Sequence, residues 1–526
     1  MTPEWLRTGA VYQIYPRSFQ DTNGDGIGDL PGILQRLDHV ADLGAAAIWL
    51  SPVHPSPQAD FGYDVADYDG IDPVFGTDRD LDALVEAAHA RGLKVLLDGV
   101  YNHTSDQHPW FRASRSSRDD PKRDFYLWRD SRGSRPPNNW ASTFGGPAWT
   151  LDPQTGQHYL HSFLPAQPDL NWRHPPVQEA VLASMQRWYE RGIDGFRLDV
   201  FNCYRKHPDL PDNPRRWHPG GLFYGYIGQH HVHDRDQDDL PDVLGAMRAL
   251  ADRYGAVLVG ETMDENFRYD HAARFVGPDQ LHQAFHFALL HSRWRADALC
   301  SAIRSWVDRL PADAWPTWVL SNHDFPRHAT RWGGGDARAR AAAVMALTLR
   351  GTPYLYYGEE LGMPETRLAR RDIVDPPGIR FWPFFKGRDG ARTPMCWDAS
   401  DHAGFTTGTP WLPVDPGYAE RNVAAQTGDP GSVLETYRAL LALRRDHPAL
   451  RDGEMEVSVE GGVLSVRRWT PSAEVRVLTS CRSVGQAVEV GSVRVLYATG
   501  AGVLDGSTVR LGPDEAVVLE RTQNRA

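Results

Sequence analysis

Short apolar runs alternate with amphipathic segments along most of this chain, and this alternation constrains the fold more than any other feature. Segments such as 30–44 and 81–92 carry apolar residues at helical spacing and end in Gly, which predicts helices. Strand followed by helix, with eight strands, is typical of an α/β fold, the (β/α)8 or TIM barrel. A doubly wound sheet fits less well, because no GxGxxG motif follows the first strand. The predicted strands are 10–15, 46–52, 93–100, 194–200, 256–262, 283–290, 316–324 and 351–360.

Two segments depart from this pattern and predict further domains. Residues 105–171 follow the third strand, lack a strong helical period and are rich in Arg, Asp, Pro, Asn, Trp and Gly, which predicts a small inserted domain. After about residue 447 apolar residues alternate with period two between turn residues, which predicts an antiparallel β-sandwich. The chain is long enough for several cores. We therefore expect a barrel in two parts (1–104 and 172–446), an inserted domain (105–171) and a C-terminal β domain (447–526).

Composition and charge exclude several classes of function. The net charge of −12, without a long basic run, argues against nucleic acid as a partner. The N-terminal stretch has no apolar signal core and no run approaches the roughly 18 apolar residues of a membrane span, so we expect a cytoplasmic protein without a membrane partner. The four cysteines are far apart and suggest neither a disulfide framework nor a zinc site. The aromatic content of 11% suits either a sugar site or a large core.

Polar side chains gather where predicted strands end, which in a barrel is the face that carries the active site. Any one of them is commonly a solvated loop residue. Carboxylates from three strands around one mouth are harder to explain in that way. The third strand ends with Asp98, Asn102 and His103, the fourth with Arg197 and Asp199, the fifth with Glu261, and the seventh with Asn322, His323 and Asp324.

The carboxyl groups at these strand ends predict nucleophilic and acid–base chemistry. Arg197 and Asp199 share one face of a strand, so we expect the guanidinium to lower the pKa of Asp199 and keep it ionised as a nucleophile. Glu261 follows the apolar run VLVG, and partial burial near Asp199 should raise its pKa and keep it protonated. Two carboxyl groups of opposite protonation state are what glycoside hydrolysis requires. A structural cluster of ion pairs is the alternative.

Ten stretches, taken together and in order, give the chain a resemblance to a known family. It resembles the α-amylase family of retaining glycosidases (glycoside hydrolase family 13), and within it the α-glucosidase and oligo-1,6-glucosidase branch. The resemblance covers nearly the whole chain and implies a glycosidase that acts on small oligosaccharides. The stretches are VYQIYPRSFQDTNGDGIGDL, IWLSPV, FGYDVADY, DGVYNHTS, QPDLNW, GFRLDV, GET, SNHD, GTPYLYYGEELG and KGRDGARTPMCWD.

The resemblance implies a role for each residue that matches a family motif. Asp199 corresponds to the nucleophile that forms a covalent glucosyl-enzyme, Glu261 to the general acid and base, and Asp324 to a third carboxylate that binds ring hydroxyls. Asp60 and Arg392 correspond to a pair that closes the pocket around the non-reducing end. That closure implies exo-action, the release of one terminal α-1,4- or α-1,6-linked glucose at a time. The other implied substrate-binding residues are Tyr63, His103, Phe144, Phe163, Gln167, Arg197 and His323.

The stretch DTNGDGIGD (21–29) is similar to half of a calcium-binding loop, with acidic or amide side chains at alternate positions and Gly26 at the turn. An EF-hand would close with Glu at its twelfth position, where this chain has Gly32, so a calcium sensor is excluded. In the α-glucosidase branch the matching loop holds one divalent ion, which implies structural Ca²⁺ here, with Mg²⁺ as the alternative ion. A metal-free loop closed by Asx turns is the other interpretation. The implied ligands are Asp21, Asn23, Asp25, the backbone carbonyl of Ile27, and Asp29.

Linkage preference is open at this point. Val200 follows the implied nucleophile, and in relatives Val at this position accompanies α-1,6 linkages, whereas Ala or Thr accompanies α-1,4 linkages. The segment 201–214 departs from oligo-1,6-glucosidases, and the segment after the eighth strand is shorter than theirs. The sequence therefore leaves the preferred linkage undecided.

Three classes of function compete. The first is an exo-acting α-glucosidase, and the second is a glucosyltransferase or a sucrose or maltose isomerase of the same family. The third is a non-catalytic binding subunit, which the retained Asp199, Glu261 and Asp324 argue against. The His- and Asp-rich stretch 229–239 is expected to form a solvated loop rim, with a metal site as the alternative. The sequence does not distinguish a monomer from a dimer.

Overall fold

The fold is that of a computed structural model, which describes residues 2–221, 224–263, 269–482, 484–500 and 503–522. Within these residues, eleven strands precede the C-terminal region. In chain order they are Val11–Ile14 (β1), Ala47–Leu50 (β2), Lys94–Gly99 (β3), Trp128–Arg129 (β4), Trp149–Leu151 (β5), His158–Leu160 (β6), Gly195–Leu198 (β7), Val257–Gly260 (β8), Gln283–Ala284 (β9), Thr317–Val319 (β10) and Thr352–Tyr356 (β11).

Eight of these strands form one parallel sheet that curves into a nearly closed barrel, in the order β10-β11-β1-β2-β3-β7-β8-β9. The described residues of these strands are almost all buried, which is why each reads as a continuous apolar run and not as an alternating one. Each predicted strand contains one of the eight. The (β/α)8 prediction is therefore confirmed.

Helices surround the barrel, and α4 illustrates why they form. The Thr77 hydroxyl accepts from the backbone N–H of Asp80, whose carboxylate accepts in return from the backbone N–H of Thr77, a capping box. Leu81, Leu84, Val85 and Ala88 then bury one face at helical spacing. The helices are Glu4–Thr8 (α1), Leu30–Gln35 (α2), Leu37–Leu43 (α3), Asp78–Ala90 (α4), Pro109–Ser116 (α5), Pro175–Glu190 (α6), Leu240–Arg253 (α7), Ala288–His291 (α8), Ala296–Val307 (α9), His328–Trp332 (α10), Gly335–Thr348 (α11), Pro376–Phe381 (α12), Val423–Gln426 (α13), Val433–Asp446 (α14) and Pro448–Arg451 (α15).

The inserted segment between β3 and α6 has its own small sheet, with β4, β6 and β5 antiparallel in that order. The sequence showed no helical period here, yet the segment contains α5. The imidazole of His108 accepts from the backbone N–H of Trp110, and Pro109 occupies the first helical position, so short-range capping starts the helix. Phe111 anchors it by stacking on Trp128, with ring centroids 5.7 Å apart.

Two antiparallel sheets follow α15 and confirm the predicted β-sandwich. One has five strands in the order β12-β13-β14-β19-β16, and the other has three in the order β15-β18-β17. Val463, Leu478, Val517 and Leu519 of the first sheet pack with Val488, Val509 and Leu511 of the second in one buried cluster. The strands are Glu454–Glu460 (β12), Val463–Trp469 (β13), Glu474–Ser480 (β14), Gln486–Glu489 (β15), Val493–Ala498 (β16), Val503–Asp505 (β17), Thr508–Leu511 (β18) and Ala516–Arg521 (β19).

Where one domain ends and the next begins stays a prediction from the sequence. Among the helices of the described residues, none combines the length and the apolar character that crossing a membrane would require.

Candidate active site

The strands of the barrel continue their hydrogen bonding by one residue beyond β7 and β8, and this fixes two carboxyl groups. The backbone N–H of Asp199 donates to Gly99 O at 3.1 Å, and that of Glu261 donates to Leu198 O at 2.9 Å. The carbonyl of Glu261 in turn accepts from the N–H of Phe201 at 3.1 Å. Asp199 and Glu261 therefore lie at the same end of the barrel, and these hydrogen bonds fix their backbone positions.

A single buried guanidinium connects the carboxyl groups at this end. Arg197 lies beside Asp98 in the register of β7 and β3, and its Nη1 is 2.6 Å from Asp98 Oδ1. The same nitrogen is 2.8 Å from Asp199 Oδ1, while Nη2 donates to Glu261 Oε2. Since the Arg197 side chain is only 1% exposed, water cannot replace these contacts.

Burial has the largest effect on the pKa values of Glu261 and Asp199. It raises the pKa of Glu261 to about 8 against the opposing charge of Arg197, with a further rise from the neighbouring Asp199 and Asp324. Burial likewise raises the pKa of Asp199 to about 7; Arg197 lowers it, as expected, but does not bring it below its ordinary value. The guanidinium is shared by three carboxyl groups and compensates only part of their loss of hydration.

Asp324 has the opposite electrostatic environment. Its Oδ1 is 3.2 Å from Arg388 Nη1 and 3.1 Å from Arg392 Nη2, and its Oδ2 is 3.2 Å from His323 Nε2. Burial alone would raise the pKa of Asp324, but these three neighbours outweigh it and hold the pKa below its usual range. This carboxylate is therefore ionised at neutral pH.

His323 and Tyr63 form a stacked pair in the floor of the site. Their ring centroids are 5.4 Å apart with an interplanar angle of 5°, and the Tyr63 hydroxyl lies 2.7 Å from His323 Nε2. Gln13 contacts the other imidazole nitrogen at 2.9 Å, and the Tyr63 hydroxyl donates to Asp98 Oδ2 at 3.1 Å. Burial lowers the pKa of His323 to about 3, so the imidazole is neutral and positioned to hydrogen-bond.

The structure corrects the expected pairing of Asp60 with Arg392. Asp60 Oδ1 is instead 2.7 Å from Arg388 Nη2, and Asp375 holds the same guanidinium at 2.7 Å. Arg392 is fully buried behind the site, where it donates to the carbonyl of His323 at 2.8 Å and to Asp324. The two arginines lie four residues apart around a short 3₁₀ helix, Asp389–Ala391, and both reach Asp324 Oδ1, but it is Arg388 that pairs with Asp60.

These side chains surround a pocket of about 280 Å³. Of the residues predicted to bind substrate, Arg197 and Arg392 do not line it and instead contact residues that do. The predicted residues that line the pocket are Asp60, Tyr63, His103, Phe144, Phe163, Gln167, Asp199, Glu261, His323 and Asp324. Further lining residues that no sequence pattern indicated are Thr143, Tyr224, Tyr226, Ile227, Thr262, Met263, Phe287, Phe325 and Arg388.

Among the missed residues, Tyr226 is positioned by the His- and Asp-rich stretch. Its hydroxyl lies 2.7 Å from Arg235 Nη1 and 2.9 Å from the sulfur of Met263. Behind it, His231 Nδ1 is 2.6 Å from Asp234 Oδ2. His231, Asp234 and Arg235 are buried, so the expected solvated rim is wrong for these three residues. They support one wall of the pocket.

The loop 21–29 is closed by its own side chains in this structure. Asp21 accepts from the backbone N–H groups of Asn23, Gly24 and Gly26, each at 2.9 Å, and from the Thr406 hydroxyl. Asn23 and Asp25 form further Asx turns, and Asp29 caps α2. The all-oxygen donor set fits a hard divalent cation. Across the part of the chain that the structure describes, no group of three or more His, Cys, Asp or Glu side chains is arranged to hold a metal.

Comparison with known proteins identifies the family. The family model of the alpha-amylase catalytic domain matches residues 13–453. A probable alpha-glucosidase of Rhizobium meliloti is 47% identical over 88% of this chain and 87% of its own length. An oligo-1,6-glucosidase of Parageobacillus thermoglucosidasius is 40% identical over 87% of this chain and 86% of its own.

Solved structures share the fold of this chain over nearly its whole length. The alpha-glucosyl transfer enzyme XgtA superimposes with a TM-score of 0.93 at 41% identity, covering 99% of this chain and 100% of XgtA. A mutant of the trehalulose synthase MutB in complex with the substrate sucrose gives a TM-score of 0.91 at 33% identity, covering 98% of this chain and 99% of that one. With its barrel and its pocket at the strand ends, this chain is a glycoside hydrolase of the α-amylase family, in the α-glucosidase and oligo-1,6-glucosidase branch.

Proposed function

We propose that this protein is a retaining, exo-acting α-glucosidase that hydrolyses short α-glucosides through a covalent glucosyl-enzyme. The observation that carries the proposal is the Asp60–Arg388 ion pair in the wall of a small pocket that also contains Asp199 and Glu261. A pocket closed in this way accepts one terminal glucose residue, whereas an open groove would accept the middle of a chain.

In the first step, Asp199 attacks the anomeric carbon and the glycosidic C–O bond breaks. Glu261 gives its proton to the departing oxygen, so the leaving sugar departs as a neutral alcohol. Arg197 holds Oδ1 of Asp199 at 2.8 Å and thereby fixes the orientation of the carboxylate. In the second step, water attacks the same carbon and passes a proton to Glu261, and Asp199 leaves as a carboxylate.

The charges of the site support this exchange of roles. While Asp199 is ionised, its charge helps to raise the pKa of Glu261 and keeps this group an acid. Formation of the glucosyl ester removes that charge. The pKa of Glu261 should then fall, which makes it a base at the moment when water must be activated.

The remaining polar groups suit the hydroxyls of a glucose ring. Asp324 is ionised and can accept hydrogen bonds from two neighbouring hydroxyls. Burial lowers the pKa of His103 to about 4, so it acts as a neutral imidazole. The Gln167 amide contacts Asp60 Oδ2 at 3.2 Å and thereby holds the second oxygen of the closing ion pair.

The test of mechanism is Asp199→Asn, which preserves the shape of the side chain and removes the nucleophile. Hydrolysis of 4-nitrophenyl α-glucoside should fall by about 10⁴-fold or more. Asp119→Asn, at an exposed carboxylate of the inserted segment, is the matched control and should leave the rate unchanged. Full activity of the Asp199 variant would contradict the assignment.

Glucosyl transfer is the second candidate, because XgtA and MutB, two of the similar solved structures, are named for transfer and for trehalulose synthesis. Tyr224, Tyr226 and Met263 line the same pocket. In this second candidate function they supply apolar surface for an acceptor sugar. Product analysis on equal maltose, isomaltose, sucrose and trehalose separates the candidates. Free monosaccharides alone (glucose, with fructose from sucrose) support hydrolysis, whereas early new disaccharides support transfer.

Two further features remain proposals. The loop 21–29 would hold one structural divalent cation, Ca²⁺ by preference, bound by side-chain oxygens and remote from bond cleavage. The cytoplasmic location expected from the sequence stands as a prediction.

A further inference from the structure

A second cavity lies beside the catalytic pocket, beyond two short segments of chain. Phe144 and Tyr224 line the catalytic pocket, while Gly146 and Gly225 of the same two segments line the second cavity. The second cavity has a volume of about 630 Å³. Cavities of roughly 300–1,000 Å³ are the size that proteins use for small-molecule ligands.

This cavity is strongly cationic although the protein carries a net charge of −12. Arg132, Arg135, Arg215 and Arg380 line it, together with Asp212 as the acidic residue of the lining. Asp212 is already engaged, because it accepts from the backbone N–H of Asn139 at 2.9 Å and lies 3.3 Å from Arg132 Nη1. Within the described parts of the chain, the other three guanidinium groups form no ion pair. Their charge is therefore available to an anion.

Arg380 is an exposed side chain that lies across a turn of the inserted segment. A Cβ atom at Gly145 would lie 3.0 Å from Arg380 Nε, and one at Gly146 would lie 3.2 Å from Nη2. Both glycines have positive φ, 91° and 83°, so the guanidinium lies directly over a turn without side chains.

The cavity also has a buried hydrogen-bond acceptor. Gln229 is 9% exposed, and its amide nitrogen donates to the carbonyl of Asn139. Its Oε1 has no hydrogen-bond partner among the described residues. An acceptor of this kind suits a hydroxyl group and not an anionic oxygen. Trp140, 2% exposed, adds an apolar ring to the wall.

We propose that this second cavity binds a small polyhydroxylated anion, a sugar that carries a phosphate or a carboxylate group. Arg135, Arg215 and Arg380 bind the anionic group, and Gln229 accepts from a hydroxyl. The ligand is held outside the catalytic pocket, so the site does not depend on the proposed hydrolysis.

The test is isothermal titration of the full-length protein at low ionic strength. The probes are glucose 6-phosphate, glucuronate, inorganic phosphate and glucose. The variant is the double substitution Arg135→Ala with Arg215→Ala, and the control is Arg79→Ala, at an exposed arginine of α4. Thermal unfolding and the rate on 4-nitrophenyl α-glucoside, expected to be unchanged in every variant, establish that each protein is folded.

We expect glucose 6-phosphate or glucuronate to bind the wild type and the control equally, and the double variant at least tenfold more weakly. The tighter of the two ligands identifies the anionic group. Absence of binding by both would overturn the proposal, and so would binding that survives in the double variant, because the ligand would then lie elsewhere. Inorganic phosphate binding as tightly as glucose 6-phosphate would overturn the role given to Gln229.

Discussion

Asp60 and Arg388 form an ion pair of 2.7 Å that joins the loop after β2 to the segment after β11. The guanidinium has little freedom, because Asp375 holds it at 2.7 Å and Asp324 at 3.2 Å. Arg388 therefore connects Asp324, the carboxylate that we expect to bind ring hydroxyls, to Asp60, with which it forms the proposed closure of the pocket. In the proposed mechanism, one side chain thus links the selection of a terminal glucose to its placement for attack.

Replacement of Arg388 tests this linkage. Arg388→Lys retains the charge but loses the planar fork that reaches Asp60, Asp324 and Asp375 together. We expect KM for maltose and isomaltose to rise about 10- to 100-fold, since the loss of one buried, charge-assisted contact is worth about 1.5–3 kcal/mol. Steady-state kinetics measure this. Arg371→Lys, at a highly exposed arginine nearby, is the control, and equal kcat/KM for the two variants would contradict the closing role of Arg388.

The pH dependence should report the cluster around Arg197. Burial raises the pKa of Asp199 to about 7 and that of Glu261 to about 8, and activity needs the first group ionised and the second protonated. We therefore expect kcat/KM for maltose to decrease as the pH drops below about 7 and as it rises above about 8. The two apparent pKa values of this profile belong to the coupled pair and not to either residue alone.

Glu261→Gln separates the two limbs of this profile. With 4-nitrophenyl α-glucoside, whose leaving group needs no protonation, the residual activity should lose the alkaline limb and keep the acid limb. A rate that does not change with pH, or an alkaline limb that persists in the variant, would refute the assignment of Glu261.

Val200 is the position to test for linkage preference. It lines the pocket and adopts a left-handed backbone conformation, with φ of 36°, which is costly for a β-branched residue and aims its side chain. Val200→Thr keeps the shape and the branching but places a hydroxyl at a position that is 6% exposed, so we expect a loss of about 1–3 kcal/mol of stability. We expect the ratio of isomaltose to maltose hydrolysis to fall about tenfold. An unchanged ratio would assign linkage preference to the segment 201–214 instead.

Thermal unfolding tests the cation proposed for the loop 21–29. After treatment with a chelator, added Ca²⁺ should raise Tm, because a ligand at 100 times its Kd stabilises the folded state by about 2.7 kcal/mol. Asp25→Asn removes a charged ligand but keeps an oxygen that can accept from the N–H of Ile27, as Asp25 does at 2.8 Å. This variant should lose most of the shift. If neither Ca²⁺ nor Mg²⁺ shifts Tm of the wild type, the loop is a metal-free set of Asx turns.

The barrel and the positions of its carboxyl groups could be predicted because both depend on short-range patterns. Buried parallel strands are continuous apolar runs, and the residue that follows each run lies at the mouth, as Asp199 and Glu261 do. Such short-range patterns could not show whether Arg388 or Arg392 pairs with Asp60. Both belong to one motif, and only the course of the chain after β11 decides which of them reaches Asp60.

Contacts between residues that are far apart in sequence explain the other differences between the sequence-based predictions and the structure. The pKa of Asp199 depends on how many carboxyl groups share Arg197, and Asp98 and Glu261 come from different strands. Tyr226 enters the pocket because Arg235 contacts its hydroxyl, a relation that no periodicity in the sequence reveals.

Proton NMR of the first product tests the central claim most directly. With 4-nitrophenyl α-glucoside as substrate, the only glucose formed comes from the terminal position, so its anomeric signal reports the stereochemistry before mutarotation. Double displacement through Asp199 predicts that α-glucose appears first and the β-anomer follows slowly. If β-glucose appears first, the reaction inverts the anomeric centre, and the glucosyl-enzyme on Asp199 is contradicted.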